Sequence, residues 1–246
     1  MMLFVSTGGV FRPTSGRSTP GMRINHKTNE QTTSMDVEVR NCGLARYRDV
    51  MELQYQLRDQ RAMGQIADTV LLVEHEPVIT LGARQSANKL LADDGELAER
   101  GIEVVAIRRG GGTTAHNPGQ LVFYPIMNLQ QRGLGISDYV RKLEAVGIEL
   151  LGRFNVGAER KKGFPGLWVG GRKIASVGVR VSRFITYHGM AINICNDLSI
   201  FELIVPCGLG DVEMTSVLKE TGKSVSVDVS KAYLTEIIRD HFGADE

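Results

Sequence analysis

The sequence predicts an α+β fold: one domain with a mixed, largely antiparallel sheet flanked by helices. Apolar and β-branched runs cluster at 167–169, 173–181 and 186–193, separated by Gly170-Gly171 and by a polar bend, which is the pattern of consecutive antiparallel strands. Helical stripes are interspersed among strand clusters instead of alternating strictly with single strands, which disfavours a purely parallel sheet. No internal repeat or linker interrupts the 246-residue chain after residue 35.

In chain order, residues 36–40 alternate as a short strand, and residues 47–62 place Val50, Leu53, Leu57 and Ala62 on one helical stripe. The apolar run 69–73, stopped at Glu74-His75-Glu76-Pro77 and resumed at 78–81, reads as a pair of strands before Gly82. A short helix at 96–100 closes on Gly101, and a strand at 103–107 runs into a glycine turn that joins it to an extended run at 120–129. Ser137 is a candidate N-cap for a helix turning Val140, Leu143, Val146, Leu150 and Phe154 inward. A short helix around 213–219 and a terminal amphipathic helix with Leu234, Ile237, Ile238 and His241 on one side complete the chain.

Hydrophobic residues make up 42% of the chain and charged residues 23%, with a net charge of +1, so no basic excess points to nucleic acid. No apolar run approaches the roughly 20 residues of a membrane-spanning helix. Cys42, Cys195 and Cys207 form an odd set with neither C-x-x-C nor zinc spacing, which fits a reducing compartment and predicts no structural metal. Residues 1–35 carry Arg12, Arg17, Arg23 and Lys27, many Ser and Thr, and no acidic residue before Glu30. They read as a disordered extension, as the product of a start codon upstream of a true start at Met35, or as an organellar transit peptide. The expected location is cytoplasmic, or organellar in the last case. Residues 36–246 are the expected catalytic domain.

Two motifs carry chemistry. The first is Arg109-Gly110-Gly111-Gly112-Thr113-Thr114-Ala115-His116-Asn117-Pro118-Gly119-Gln120, three glycines after a strand without GxGxxG spacing or the Lys-Ser/Thr ending of a phosphate loop. It is either a tight structural hairpin or a ligand loop in which backbone approaches closely, Arg109 supplies a cation, and His116 donates a hydrogen bond or shuttles a proton. The second is Pro206-Cys207-Gly208, where proline stiffens the approach and glycine leaves open space beside the sulfur. Cys207 is an inert buried thiol or a nucleophile; as a nucleophile it must lose a proton held at about 8.5 in a free thiol. Lys173, in the apolar setting Lys173-Ile174-Ala175-Ser176-Val177-Gly178, can lower that value as a cation or accept the proton as a desolvated amine; otherwise it is a solvated surface lysine. His188 sits on a mostly apolar strand, where a satisfied core histidine is the simpler reading, and no papain-like signature surrounds any cysteine.

Taken together, these motifs resemble the octanoyltransferases of lipoate biosynthesis. The resemblance runs from residue 36 to 242 and includes Leu72-Val73-Glu74-His75-Glu76-Pro77, Thr80-Leu81-Gly82, the arginine–glycine turn, Pro118-Gly119-Gln120-Leu121-Val122 with Tyr124-Pro125, Lys173-Ile174-Ala175, His188-Gly189, and Pro206-Cys207-Gly208-Leu209. It implies the biotin and lipoate protein ligase fold. It also implies transfer of an octanoyl group from octanoyl-acyl carrier protein, through a thioester on Cys207 activated by Lys173, to a lysine of lipoyl domains of 2-oxoacid dehydrogenases or of the glycine cleavage H protein. The acyl substrate is then expected to lie against Arg109, Gly110, Gly111, Gly112, Thr113, Thr114, Ala115 and His116, against Ser176, Val177 and Gly178, and against His188, Gly189, Met190 and Ala191. No ATP or metal cofactor, no nucleic acid, no membrane and a monomeric state complete the expectation.

The chain departs from the family pattern at Ala115 and Asn117, where tyrosine and glycine are usual. A ring lost beside the pocket implies a wider pocket or an altered chain-length preference. Two other readings compete. An ATP-dependent lipoate ligase or related amidotransferase of the same fold would need no cysteine, and typically carries His-Asp where this chain has His116-Asn117. A catalytically dead binding module would show no acyl adduct.

Overall fold

The run Val70-Leu71-Leu72-Val73 is apolar without a break because both faces of its strand are covered. Val70 and Leu72 pack into one hydrophobic cluster, Leu71 and Val73 into another on the opposite face. The computed structural model describes residues 37–205 and 212–243.

Its elements are β1 (Val37–Ala45), α1 (Tyr47–Ala62), β2 (Asp68–His75), β3 (Val78–Leu81), α2 (Asp94–Glu99), β4 (Glu103–Ala106), β5 (Thr114–His116), β6 (Gln120–Ile126), α3 (Ile136–Arg153), β7 (Glu159–Lys161), β8 (Phe164–Val169), β9 (Arg172–Ser182), β10 (Ile185–Asn193), α4 (Val217–Thr221) and α5 (Val227–Phe242). Seven strands form the main sheet in the order β1-β2-β6-β10-β9-β8-β7, with only β1 and β2 parallel. A second sheet has the order β4-β3-β5, with β4 parallel and β5 antiparallel to β3. The mixed, largely antiparallel α+β expectation therefore holds.

Helix α1 covers one face of the main sheet with Val50 and Leu57, while α3 and α5 cover the other with Leu143, Val146, Leu150, Leu234, Ile237 and Ile238. Asp68, at the start of β2, ties the layers together. Its carboxylate pairs with Arg61 from α1 (2.6 Å) and with Arg132 from the loop before α3, and accepts the Asn128 N–H at 3.0 Å.

Several local expectations are corrected. β2 and β3 are not a pair but belong to different sheets, because Glu76 and Pro77 break the ladder between them. The glycine turn leads into β5 before β6, and β4 and β5 flank β3, so it is a crossover and not a hairpin. Ser137 lies inside α3, whose N-cap is Gly135 with no side-chain cap, while Val140 and Phe154 are half-buried. On α1, Ala62 is exposed and Gln54 is buried instead. The helix expected at 213–219 begins only at Val217, after Ser216 caps it, because Glu213–Thr215 run extended along Lys173. His241 pairs with Glu149 at the surface, leaving Phe242 as the apolar end of α5.

Candidate active site

Strands β9 and β10 pair with Gly178 opposite Gly189, Val177 opposite Met190 and Ser176 opposite Ala191. The glycine turn lies over this part of the ladder, where the Gly110 N–H donates to the Val179 carbonyl at 3.1 Å. Such an approach needs missing side chains on both sides. A Cβ on Gly82 would fall 2.2 Å from the Gly111 carbonyl oxygen, and one on Gly178 would fall 3.0 Å from that of Gly110. Arg109 is folded back beneath the turn: its guanidinium donates to the Thr80 carbonyl (3.0 Å) and hydroxyl (2.8 Å) on β3, and to the Gly110 carbonyl. The arginine thus fixes the turn to the small sheet.

Between turn and ladder lies a narrow cavity of about 40 Å³. Of the residues expected to hold acyl substrate, Arg109, Gly110, Gly111, Thr114, His116, Ser176, Val177, Gly178, His188, Gly189, Met190 and Ala191 line it. Gly112, Thr113 and Ala115 do not. Gly112 packs on Ala87, and the Thr113 hydroxyl accepts the Lys89 N–H at 3.0 Å. Successive side chains of a strand face opposite ways, so β5 turns Thr114 and His116 to the cavity and Ala115 into the cluster of Ile79, Leu97 and Phe201. The pocket-widening role expected for Ala115 is therefore removed. Tyr47, Val122 and Tyr124 line the cavity as well, and sequence reading assigned them no such role. Tyr124 stood within a quoted motif, but Tyr47 opens a helix remote in sequence and gave no local signal.

A wider cavity of about 240 Å³ adjoins the first. The two share Gly110, Gly111, Val177 and Gly178, and the second is also lined by Arg84, Phe164, Pro165 and Lys173. Lys173 is buried, so the surface-lysine reading fails, and its Nζ lies 5.3 Å from the centre of the Trp168 ring. Its backbone N–H donates to the Glu213 carbonyl at 2.8 Å, and its carbonyl accepts the Thr215 N–H at 2.9 Å. Pro206, Cys207, Gly208 and Leu209 lie outside the described residues, as do residues 1–35. Burial pushes the thiols of Cys42 and Cys195 up in pKa, away from nucleophilic thiolate.

The histidine rings at the narrow cavity, and His75 packed behind them, are neutral. Burial holds His75 at about 4, and burial reinforced by its neighbours, His75 first among them, holds His116 at about 3. The His75 Nδ1–H donates to the Ala45 carbonyl (3.0 Å), so its Nε2 accepts the Tyr124 hydroxyl (2.8 Å); the His116 Nδ1–H donates to the Gln120 side-chain oxygen (2.7 Å). Tyr47 stacks on His116 with ring centres 5.8 Å apart. His116 is thus held neutral and fixed by Gln120 and Tyr47 as a hydrogen-bonding wall of the cavity. His188 is not the satisfied core histidine expected either, since neither ring nitrogen has a hydrogen-bond partner among the described residues. No group of three or more potential metal ligands occurs among the described residues, and no described helix is long and apolar enough to cross a membrane.

Residues 46–239 match the lipoyl protein ligase A/B catalytic domain family. An octanoyltransferase of Syntrophobacter fumaroxidans is 47% identical over 186 residues, spanning 76% of this chain and 82% of the relative. One of Alkaliphilus metalliredigens is 36% identical over 212 residues, spanning 86% and 97%. Among solved structures, a lipoate-protein ligase A bound with ATP superposes with a TM-score of 0.64 at 14% identity, covering 84% of each chain. A bipartite lipoate protein ligase from Thermoplasma acidophilum, studied with its E2 lipoyl domain, gives 0.62 at 14% identity over 84% of this chain and 82% of that one. At such identities the structural likeness establishes the fold, and the fold is that of the lipoate protein ligases. The sequence relatives go further: the chain belongs to the octanoyltransferase family.

Proposed function

We propose that this octanoyltransferase works in two acyl-exchange steps through Cys207, with octanoyl-acyl carrier protein as donor and a lipoyl-domain lysine as acceptor. Its class is acyltransferase, and its activity is octanoyl transfer for protein lipoylation. In the first step the Cys207 sulfur bonds to the acyl carbon, the donor thioester C–S bond breaks, and the departing thiol takes a proton. In the second step the acceptor amine bonds to that carbon, the C–S bond to Cys207 breaks, and the amide product leaves a free Cys207 thiol. The acceptor amine, with an ordinary pKa of about 10.4, must lose a proton, and Lys173 is the base assigned to both steps. Exchange between thioesters is nearly isoenergetic and amide formation is downhill, so ATP has no role.

One observation carries the reading: a buried lysine lines a cavity that shares the glycine turn, Val177 and Gly178 with a second cavity walled by β9 and β10. The chain geometry agrees with it. Glu213 is hydrogen-bonded to the Lys173 backbone and stands six positions after Cys207 in sequence, a span of at most roughly 20 Å. Backbone N–H groups of the glycine turn are candidates to stabilise the oxyanion.

The test is intact-mass spectrometry after mixing with octanoyl-acyl carrier protein in the absence of ATP. Wild-type enzyme should gain an octanoyl group that hydroxylamine removes, and Cys207→Ala should gain none and transfer none. Transfer by Cys207→Ala, or a strict need for ATP, would overturn the thioester route in favour of a ligase.

A further inference from the structure

We propose that His188 makes the far end of the acyl cavity a hydrogen-bonding subsite, so that the enzyme takes acyl groups hydroxylated at the terminal carbon as well as octanoyl. The inference rests on the acyl-transfer reading above. Of these two cavities, Lys173 lines the wider and not the narrower, whereas His188, His116, Tyr47 and Tyr124 line the narrower and not the wider. An acyl group whose carbonyl carbon reacts beside Lys173, and whose chain passes the residues both cavities share, ends among those four rings.

His188 differs from the histidines beside it. Those of 75 and 116 have their protein partners, while both nitrogens of His188 are without one among the described residues, although the residue is only 1% exposed. Its ring is held between Tyr187, 5.0 Å away centre to centre, and Tyr124, at 6.4 Å. The backbone is held too: φ is +56° in the middle of β10, a left-handed conformation unfavourable for histidine, and the N–H donates to the buried Gln54 side-chain oxygen at 2.8 Å. A strained, buried residue that lines a cavity without satisfying its own polar atoms is an arrangement seen at ligand contacts.

Neutral imidazole carries one donor and one acceptor. A terminal methyl group leaves both dry, whereas a hydroxyl satisfies one of them in either tautomer. Burial, with Arg109 and Arg180 nearby, holds the ring neutral with a pKa of about 3. The group that fits is accordingly an uncharged hydroxyl, and an imidazolium to pair with a carboxylate is not available.

The experiment compares kcat/KM for octanoyl- and 8-hydroxyoctanoyl-acyl carrier protein in wild type, His188→Leu and His188→Asn. Asparagine tolerates the left-handed backbone and keeps a donor and an acceptor. Wild type and His188→Asn should use the hydroxylated donor within about tenfold of octanoyl, and His188→Leu should shift the ratio toward octanoyl by about tenfold or more, the size of one hydrogen bond. Because the ratio is internal, partial loss of folded protein cancels. A second readout needs no leucine variant: with ¹⁵N-histidine enzyme, 8-hydroxyoctanoate should move a ring resonance that His188→Asn removes, and octanoate should move it less. An equal ratio in wild type and His188→Leu, rejection of the hydroxylated donor by wild type, or equal shifts with both ligands would overturn the subsite while leaving octanoyl transfer intact. Failure of wild type to transfer octanoyl at all would instead bring down the reading beneath it.

Discussion

At the Lys173 end of the cleft the wall is made of strand ends and loops, with Gly163, Phe164 and Pro165 around a buried lysine beside Trp168. At the His116 end it is made of strand interiors and the first turn of a helix, with Tyr47, Tyr124, His116 and His188 packed as neutral rings. The first end places a buried amine where acid–base work is needed. The second holds its histidines neutral beside the Arg109 guanidinium, because burial costs too much for an imidazolium without a carboxylate partner. The two adjoining cavities thus offer a buried amine at one end and a wall of neutral rings at the other. The division is enforced by the glycine turn and by Val177 and Gly178, which both cavities share.

The largest break in this contrast should come from Lys173→Met. Loss of the amine is expected to lower kcat/KM by about 10²–10⁴, the usual contribution of a general acid–base group. Steady-state transfer assays against octanoyl-acyl carrier protein check it, and a variant of undiminished rate would move the proton transfer to another group.

Next in size is the difference between alanine substitutions at the two ends. A Cβ at Gly189 would lie 2.1 Å from the Phe123 carbonyl oxygen, inside the sheet, so Gly189→Ala should cost about 2–3 kcal/mol as an overpacked site. At Gly163 nothing lies within 4 Å and only φ, at +84°, opposes a side chain, so Gly163→Ala should cost about 1 kcal/mol. Urea unfolding midpoints give both values; equal losses would mean that the neutral end is no more rigidly packed than the other.

Acid sharpens the comparison further. The ordinary histidine pKa is 6.5, and the folded protein holds His75 at about 4 and His116 and His188 at about 3. The unfolded chain therefore binds protons at these rings that the folded state refuses, so their stabilisation is complete above about pH 6.5 and is lost as pH falls toward 3. Each ring should contribute a slope of up to about 1.4 kcal/mol per pH unit in that window. Unfolding free energies measured from pH 7 to 5 should fall accordingly, and His116→Gln should flatten the fall.

The most local effect is expected for Tyr124→Phe, which removes the hydroxyl donated to His75 Nε2. The loss should be about 1–2 kcal/mol in stability, by thermal unfolding, with the proton chemistry at Lys173 unaffected.

Much of the fold was legible because its signals are local. The stripe of 47–62 predicts α1 over its full length, and the clustered runs at 167–169, 173–181 and 186–193 predict β8, β9 and β10 with their antiparallel order. The three residues of β5 were not legible, since a strand that short carries no periodicity and owes its existence to pairing with β3. Ser137 misled because a serine near a helix start is only one of the residues that can precede the first turn; here the loop geometry gives that place to Gly135. In the cleft, the glycine turn and the β9 and β10 segments were found from their motifs and what they resemble. Tyr47 escaped because only folding brings the start of α1 against His116.

The sequence by itself determined where the longer strands and helices run, most of the faces they bury, and which residue types stand ready for acyl transfer, because a strand alternates every two residues and a helix turns every 3.6. Tertiary structure alone decided that Ala115 leaves the cavity while His116 enters it, that Lys173 is buried beside Trp168, and that three histidines lose their charge. Those outcomes depend on pairing partners distant in sequence and on the exclusion of water, and neither exists until the sheets and helices have closed around one another.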